Sequence, residues 1–261
     1  MGIQIVETAA PRARVALACL SAIPPSIREP LLFGGVRRQS LVQRVIGGPA
    51  SATIRYSSGI LSRLRFDCFT SEKYFWLGAG YERELVPLIR EALSDVSVVY
   101  DIGAHAGFWS LMFASLCPNG QIFAFEPDPA NRARLEVNAA QMPNIRVLPF
   151  AVSDRAGTVR FEQGSSISHA TEKGGIEVRT IALDSCDLPA PGFVKMDIEG
   201  HGAMALAGAR ATIASHHPKI LAEIHNREEQ DAMKELRALG YELQLVETNA
   251  TFPFHMLAEV V

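Results

Sequence analysis

The chain has 261 residues, 48% hydrophobic and 20% charged, enough apolar material for a sizeable core. A net charge of -3 and a pI near 6.2 supply no bulk basic surface, so no nucleic-acid partner is expected. Cys19, Cys68, Cys117 and Cys186 lack C-x-x-C spacing and read as reduced thiols of a cytoplasmic protein, not as a disulfide frame or zinc site.

No apolar run approaches the roughly 18 residues of a membrane span. The apolar segment 15–23 ends at Pro24-Pro25 and reads as an amphipathic surface helix rather than a signal peptide. Residues 1–71 read as a helical N-terminal extension, a cap or an oligomer contact. Helices are expected over 11–21 and over 30–46, the second carrying Arg37, Arg38 and Arg44. Gly47-Gly48-Pro49 signals a turn, and short strand candidates follow across 54–66.

Residues 72–261 read as one domain. An aromatic and glycine cluster, Tyr74 to Glu82, precedes a helix over 82–93 whose Leu85, Leu88, Ile89 and Leu93 share one face. Val98 to Ile102 is a β-branched and aromatic run, hence a buried strand. Gly103 and Gly107 punctuate a tight turn, and an apolar helix follows over 108–116. A strand over 121–126 ends on Glu126. Asp128 then caps a helix that has Pro129 at its first position. Further strands are expected at 145–152, 157–162, 176–181, 193–197, 219–224, 241–246 and 251–260. Helices are expected from 201 or 203 to 215 and over 227–239. Strands alternating with helices argue an α/β fold, a mostly parallel sheet with crossover helices on both faces.

The glycine turn narrows the chemistry. A dinucleotide turn is G-x-G-x-x-G, but His105 stands where its second glycine belongs. The pattern is instead acid-x-Gly-x-x-x-Gly, from Asp101 to Gly107, and is similar to the first motif of class I S-adenosyl-methionine-dependent methyltransferases. In such sheets ligands sit beyond the carboxyl ends of the strands. The polar residues there are Asp101, Glu126, Asp154, Asp197, Glu199, Glu223 and His225. Glu126, about 20 residues past the turn, is placed to accept hydrogen bonds from both ribose hydroxyls. Asp101 would orient the first loop and face the amino or sulfonium side of the cofactor. Asp154 could accept from the adenine amine or merely cap a turn, and the cluster ending in Tyr81 and Glu82 reads either as a hydrophobic wedge or as one wall of the methionine pocket.

Over residues 74–224 the chain resembles FkbM-type S-adenosyl-methionine-dependent methyltransferases. The resemblance rests on Gly80-Tyr81-Glu82, Val99 to Gly107, Phe125-Glu126-Pro127, Ala151-Val152-Ser153-Asp154 and Leu183-Asp184. It continues through Val194 to Gly200 and Glu223-Ile224-His225. It implies a Rossmann-like, seven-stranded methyltransferase sheet with the last strand antiparallel. It also implies O-methylation of a hydroxyl on a sugar, glycan or small natural product. Ala104, Gly107, Pro127, Ala151, Val152 and Asp197 join the residues above, including Gly103, as cofactor-binding positions. Two departures stand out. The family usually carries Asn where His105 stands, and it continues Ala-Glu where this chain has His201-Gly202.

An alcohol acceptor needs a base within hydrogen-bond reach. Asp197, Glu199 and His225 are the catalytic candidates, His225 or Glu199 as base and Asp197 chiefly as a positioning group. Asp197, Glu199, His201, Glu223 and His225 could alternatively gather a divalent ion, but their spacing is not diagnostic and no metal is assigned. Two other functional readings compete with methyl transfer. A nicotinamide-dependent oxidoreductase is disfavoured by the missing G-x-G-x-x-G, and a methyltransferase-like binding protein without catalysis is disfavoured by the intact Asp101, Gly103 and Glu126 set.

Overall fold

The computed structural model describes residues 3–8, 51–56, 59–70, 72, 75, 81–161, 175–246 and 252–260. The chain divides into two compact units, residues 1–86 and 87–261. In the first, β1 (Ile3–Thr8), β2 (Ser51–Tyr56) and β3 (Arg65–Phe69) form an antiparallel sheet in that order. Ala52, Ile54 and Tyr56 alternate inward along β2, as a strand with one buried face requires. The short strand candidates of 54–66 thus resolve into parts of two paired strands, and β1 adds a third strand where only an extension was expected. The helices expected over 11–21 and 30–46 lie outside the described residues.

A turn over 81–84 leads into α1 (Leu85–Ala92), which buries Leu85, Ile89 and Ala92 along one face. In the second unit β4 (Val98–Ile102) leads into α2 (Phe108–Leu116) and β5 (Gln121–Phe125) into α3 (Pro129–Ala139). The next elements are β6 (Ile145–Leu148), β7 (Ala151–Val152), β8 (Gly157–Phe161), β9 (Ile176–Ile181) and β10 (Phe193–Met196). The helices α4 (Gly202–Ala207) and α5 (Arg210–His216), β11 (Lys219–Ile224), α6 (Arg227–Glu235), β12 (Tyr241–Leu245) and β13 (Phe254–Val260) complete it.

The central sheet has seven strands in the order β12-β13-β11-β10-β4-β5-β6. Its strands run parallel except β13, which is antiparallel to both neighbours. This is the Rossmann-like arrangement expected. Its core stacks Tyr100 edge-on against Phe123 and Phe125, at centroid distances of 5.6 and 5.4 Å. Each fully buried side chain of that size contributes about 1.5–3 kcal/mol. The Tyr100 hydroxyl is satisfied by Pro189 O at 2.9 Å.

Two elements differ from the sequence reading. The strand expected over 145–152 is two strands: β6 ends before Pro149, which lacks the N–H to continue the ladder, and β7 pairs instead with β9 in a small sheet β7-β9-β8. The helix expected up to residue 215 is also two. The Asp184 carboxylate accepts from Ala211 N at 2.9 Å and Thr212 N at 2.7 Å, capping α5 from a distant segment and giving it its own start.

Candidate active site

The loop after β4 is held by protein groups. The amides of Gly103 and Ala104 both donate to Phe125 O at 3.0 Å. Gly103 has φ +81°, and a Cβ there would lie 1.9 Å from Asp197 O, so only glycine lets the loop pass the end of β10. His105 also sits in the left-handed region, φ 51°, where Asn and His are among the better-tolerated side chains. That gives a physical reason why His can stand where the family usually has Asn.

Glu126 stands at the tip of β5, 4% exposed. Its Oε2 accepts from His105 N at 2.7 Å and its Oε1 from Asp128 N at 2.9 Å. Burial pushes its carboxyl up to about 7 against the lowering effect of these two amides. Each carboxylate oxygen has a further lone pair beyond the one an amide occupies. Asp128 caps α3 by accepting from Ala130 N and Asn131 N, as its position predicts, and Pro127 is buried beside it.

Asp101 is fully buried. Its Oδ2 accepts from Ser110 Oγ on α2 at 2.5 Å, and its Oδ1 has no hydrogen-bond partner among the described residues. Burial raises its carboxyl above the usual range, opposed by Lys195, its register neighbour on β10. At the end of β7, past the buried Ala151 and Val152, three side chains form a chain of contacts. Ser153 Oγ donates to Asp154 Oδ1 at 3.2 Å and lies 3.0 Å from His201 Nε2. Because Ser153 has a single hydroxyl hydrogen, the His201 ring is the donor in that pair. Burial holds His201 below its ordinary value against the pull of Asp154, Glu229 and Glu228. Tyr81 and Glu82 lie in the first unit, in the turn that leads to α1. There Glu82 adopts φ 44° and its carbonyl accepts from Leu85 N at 3.0 Å.

The ends of β10 and β11 carry a second cluster. Lys195 and Asp197 are two apart on one face of the strand line, and their Nζ and Oδ2 are 3.3 Å apart. His225 Nε2 lies 3.4 Å from Glu199 Oε2, 3.8 Å from Glu223 Oε2 and 3.9 Å from Asp197 Oδ1. Glu199 adopts φ 45°, a left-handed conformation costly for a glutamate, and it swings the carboxylate back toward His225 within the turn that Gly200 completes. Burial, the charge of Asp197 and a shared hydrogen bond with it push Glu223 up to about 8, so Glu223 holds the proton of that pair. Burial acts the same way on Asp197. There Lys195, the hydrogen bond from Glu223 and the charge of His225 prevail and hold it down at about 2. Burial opposes charge on His225, yet Glu229, Glu223, Glu199 and Asp197 together push it up to about 9.

The structure therefore brings Asp197, Glu199 and His225 together and adds Lys195 and Glu229, which the sequence reading left without a role, beside Glu223, which it held only as an alternative ligand of a divalent ion. Glu223 supplies a protonated carboxyl, Lys195 the compensating cation, and Glu229 a buried carboxylate behind His225. A lysine inside an otherwise apolar strand was the one sequence signal for Lys195. Asp197, Glu223 and His225 each offer a ligand atom within 4.8 Å of the others, so a divalent ion could be held there. Lys195 already provides a positive charge at that spot. His201 belongs to the other cluster, beside Ser153, and does not join this set.

No helix among the described residues is long and apolar enough to cross a membrane. The profile of the methyltransferase FkbM domain matches residues 101–243, more than half of the chain. The hexuronic acid methyltransferase AglP of Haloferax volcanii is 29% identical over 154 residues, covering 55% of this chain and 62% of that protein. The chain thus spans less than two thirds of that relative. The 2-O-methyltransferase NoeI of Sinorhizobium fredii is 28% identical over 197 residues, covering 66% of this chain and 79% of its own. Among solved structures, the methyltransferase FkbM of Methylobacillus flagellatus superposes with a TM-score of 0.50. It is 19% identical and covers 63% of this chain and 44% of that one, a likeness of fold. By the extent of the domain match, this chain belongs to the methyltransferase FkbM family.

Proposed function

We propose that the protein is an S-adenosyl-methionine-dependent O-methyltransferase acting on a hydroxyl of a sugar or glycan. The observation that carries this reading is the pairing of two unlike strand-end clusters, a carboxylate-and-amide cradle at β4, β5 and β7 and a charged proton-handling cluster at β10 and β11. The donor set fits the cofactor. Glu126 keeps lone pairs for ribose hydroxyls and Asp154 offers a partly exposed carboxylate for an amino group; Gly103, Ala104, Gly107, Pro127, Ala151 and Val152 are the further positions assigned to the cofactor in this reading, past the ends of β4 and β5 and along β7. The cofactor supplies an electrophilic methyl group; the chain's own residues bind, orient and handle the proton.

Glu199 is the base in this reading. At 32% side-chain exposure it is the most accessible carboxylate of the cluster, against 24% for Asp197, 18% for Glu223 and 2% for Glu229. His225, held cationic near neutral pH by its carboxylate neighbours, is the wrong protonation state for a base; it orients Glu199 and balances its charge. Asp197, anchored by Lys195, positions the acceptor. The names of the relatives, a hexuronic acid methyltransferase and a 2-O-methyltransferase, support a sugar acceptor.

The test is a screen of uronic acids and other free sugars and glycosides with methyl-labelled donor, alongside calorimetry with S-adenosyl-homocysteine and with NAD. Label should appear on an acceptor oxygen. Glu199→Gln should lower kcat by about 10²- to 10⁴-fold with unchanged S-adenosyl-homocysteine affinity. Binding of NAD but not of S-adenosyl-homocysteine would sink the proposal.

A further inference from the structure

Glu229 stands behind His225 without touching the acceptor in the reading above, yet both of its carboxylate oxygens accept backbone hydrogen bonds. It is 2% exposed, in the first turn of α6. Its Oε1 accepts from Gly202 N at 2.8 Å and its Oε2 from His225 N at 2.7 Å, with the His225 ring Nδ1 at 3.7 Å from the same oxygen. Asn226 secures the turn by accepting from Glu229 N at 2.9 Å. One carboxylate therefore fastens the segment after β10 to the segment after β11, the two that carry Glu199 and His225.

Position 202 explains why this is possible. A Cβ there would lie 2.9 Å from Glu229 Oε1 and 3.3 Å from its Cγ and Cδ. Any side chain at 202 would have to displace that carboxylate. Gly202 is thus the residue that makes room for an acid arriving from α6.

We infer that Glu229 is a positioning residue: by accepting from the amides of Gly202 and His225 and standing 3.7 Å from the ring Nδ1, its carboxylate holds the His225 imidazole with Nε2 turned toward Glu199. The inference rests on the proposed role of the Glu199 and His225 pair. The groups that face His225 are Asp197 and Glu199 at the end of β10, Glu223 on β11 and Glu229 on α6. Lys195 stands behind Asp197, and His255 on β13 lies opposite Glu223 in register. Removing the charge of Glu229 takes away the carboxylate 3.7 Å from Nδ1, a nitrogen with no hydrogen-bond partner among the described residues, and leaves Asp197, Glu199, Glu223 and Lys195 in place.

The experiment compares wild type with Glu229→Gln, Glu229→Ala, Gly202→Ala and the double variant Glu229→Ala with Gly202→Glu. The imidazole titration is followed by NMR on the cofactor-free protein and assigned with His225→Gln. Glu229→Gln should move the His225 midpoint down by at least about one pH unit. It should also move the alkaline limb of the kcat profile the same way and lower kcat up to about a hundredfold, with unchanged S-adenosyl-homocysteine affinity. Gly202→Ala, which pushes the carboxylate without deleting it, should give the same signature in weaker form, and it stands in for Glu229→Gln should that variant not fold. The double variant should recover at least part of what Glu229→Ala alone loses, because an acid in the first turn of α4 suits a helix N-terminus. A folded variant whose His225 titrates as in wild type overturns the inference, as does a double variant no better than Glu229→Ala. The titration needs no turnover, so an absence of methyl transfer by wild type would count against the proposed function alone.

Discussion

The two halves of the candidate site solve the same problem by opposite means. Both place carboxylates at the ends of parallel strands, where burial penalises charge. At the end of β5 the remedy is backbone: Glu126 accepts from the amides of His105 and Asp128, and Asp128 from those of Ala130 and Asn131. On the β10 and β11 side the remedy is chiefly other side chains, Lys195 and His225 set against Asp197, Glu199 and Glu223, with Glu229 alone held by backbone amides. Backbone donors are fixed by the fold and make a rigid receptor. Side-chain counter-charges exchange protons, which suits a place where an acceptor must lose one.

The comparison breaks most visibly at Lys195. Its side chain is 4% exposed, and it compensates Asp197 at 3.3 Å and faces Asp101 across the strand pair. Lys195→Met keeps the volume and removes the cation, leaving buried acids uncompensated. The expected loss is about 3–5 kcal/mol of stability, read as the denaturant midpoint. A neutral result would mean that the acids in that half are already protonated and that no counter-charge is at work.

A smaller effect tests the other half. Glu126→Gln puts an NH₂ group against one of two backbone donors, so one hydrogen bond of the cradle is lost. Bonds to a charged group are worth about 1.5–3 kcal/mol each. S-adenosyl-homocysteine affinity should fall by about ten- to a hundredfold, and the fold should be weakened by a similar free energy. Unchanged affinity in calorimetry would remove Glu126 from the ribose site.

These two variants also mark the line between what the chain shows on its face and what it hides. Local chemistry was legible. The run Val98 to Ile102 with its glycine turn, the Asp128-Pro129 helix start and the acid at the tip of β5 all carry their meaning within a few residues. So does the alternation that gives the central sheet. What failed to show depends on contacts far along the chain. Asp184 starts α5 from a distance and splits a helix that reads as continuous. Pro149 moves the second half of one expected strand into another sheet. Glu229 looks like an ordinary acid in a helix first turn until Gly202, 27 residues away, is seen beneath it. Lys195 and Glu223 become a charge network only once β10 and β11 lie side by side.

The smallest effect separates the halves by pH. Glu126 in the folded chain titrates at about 7 against an ordinary 4.5, and His225 at about 9 against 6.5. Both values are raised, so in each case the folded state holds its proton more tightly than the unfolded chain does. The associated stability is fully present below the unfolded value and is lost as pH rises through the folded one. Glu126 should therefore weaken the fold between about pH 4.5 and 7, and His225 between about 6.5 and 9. Glu223, raised to about 8, adds to the decline over much of both windows, so the windows are told apart by variants rather than by wild type alone. Thermal unfolding followed from pH 5 to 9 should show the midpoint falling by several degrees overall, at about 2–4 °C per kcal/mol for a chain of this size. Glu126→Gln should flatten the lower part of that slope and leave the upper part, and His225→Gln should do the reverse. A slope that either variant flattens throughout would mean the two clusters titrate as one network, and the division into a backbone-satisfied half and a charge-satisfied half would have to be given up.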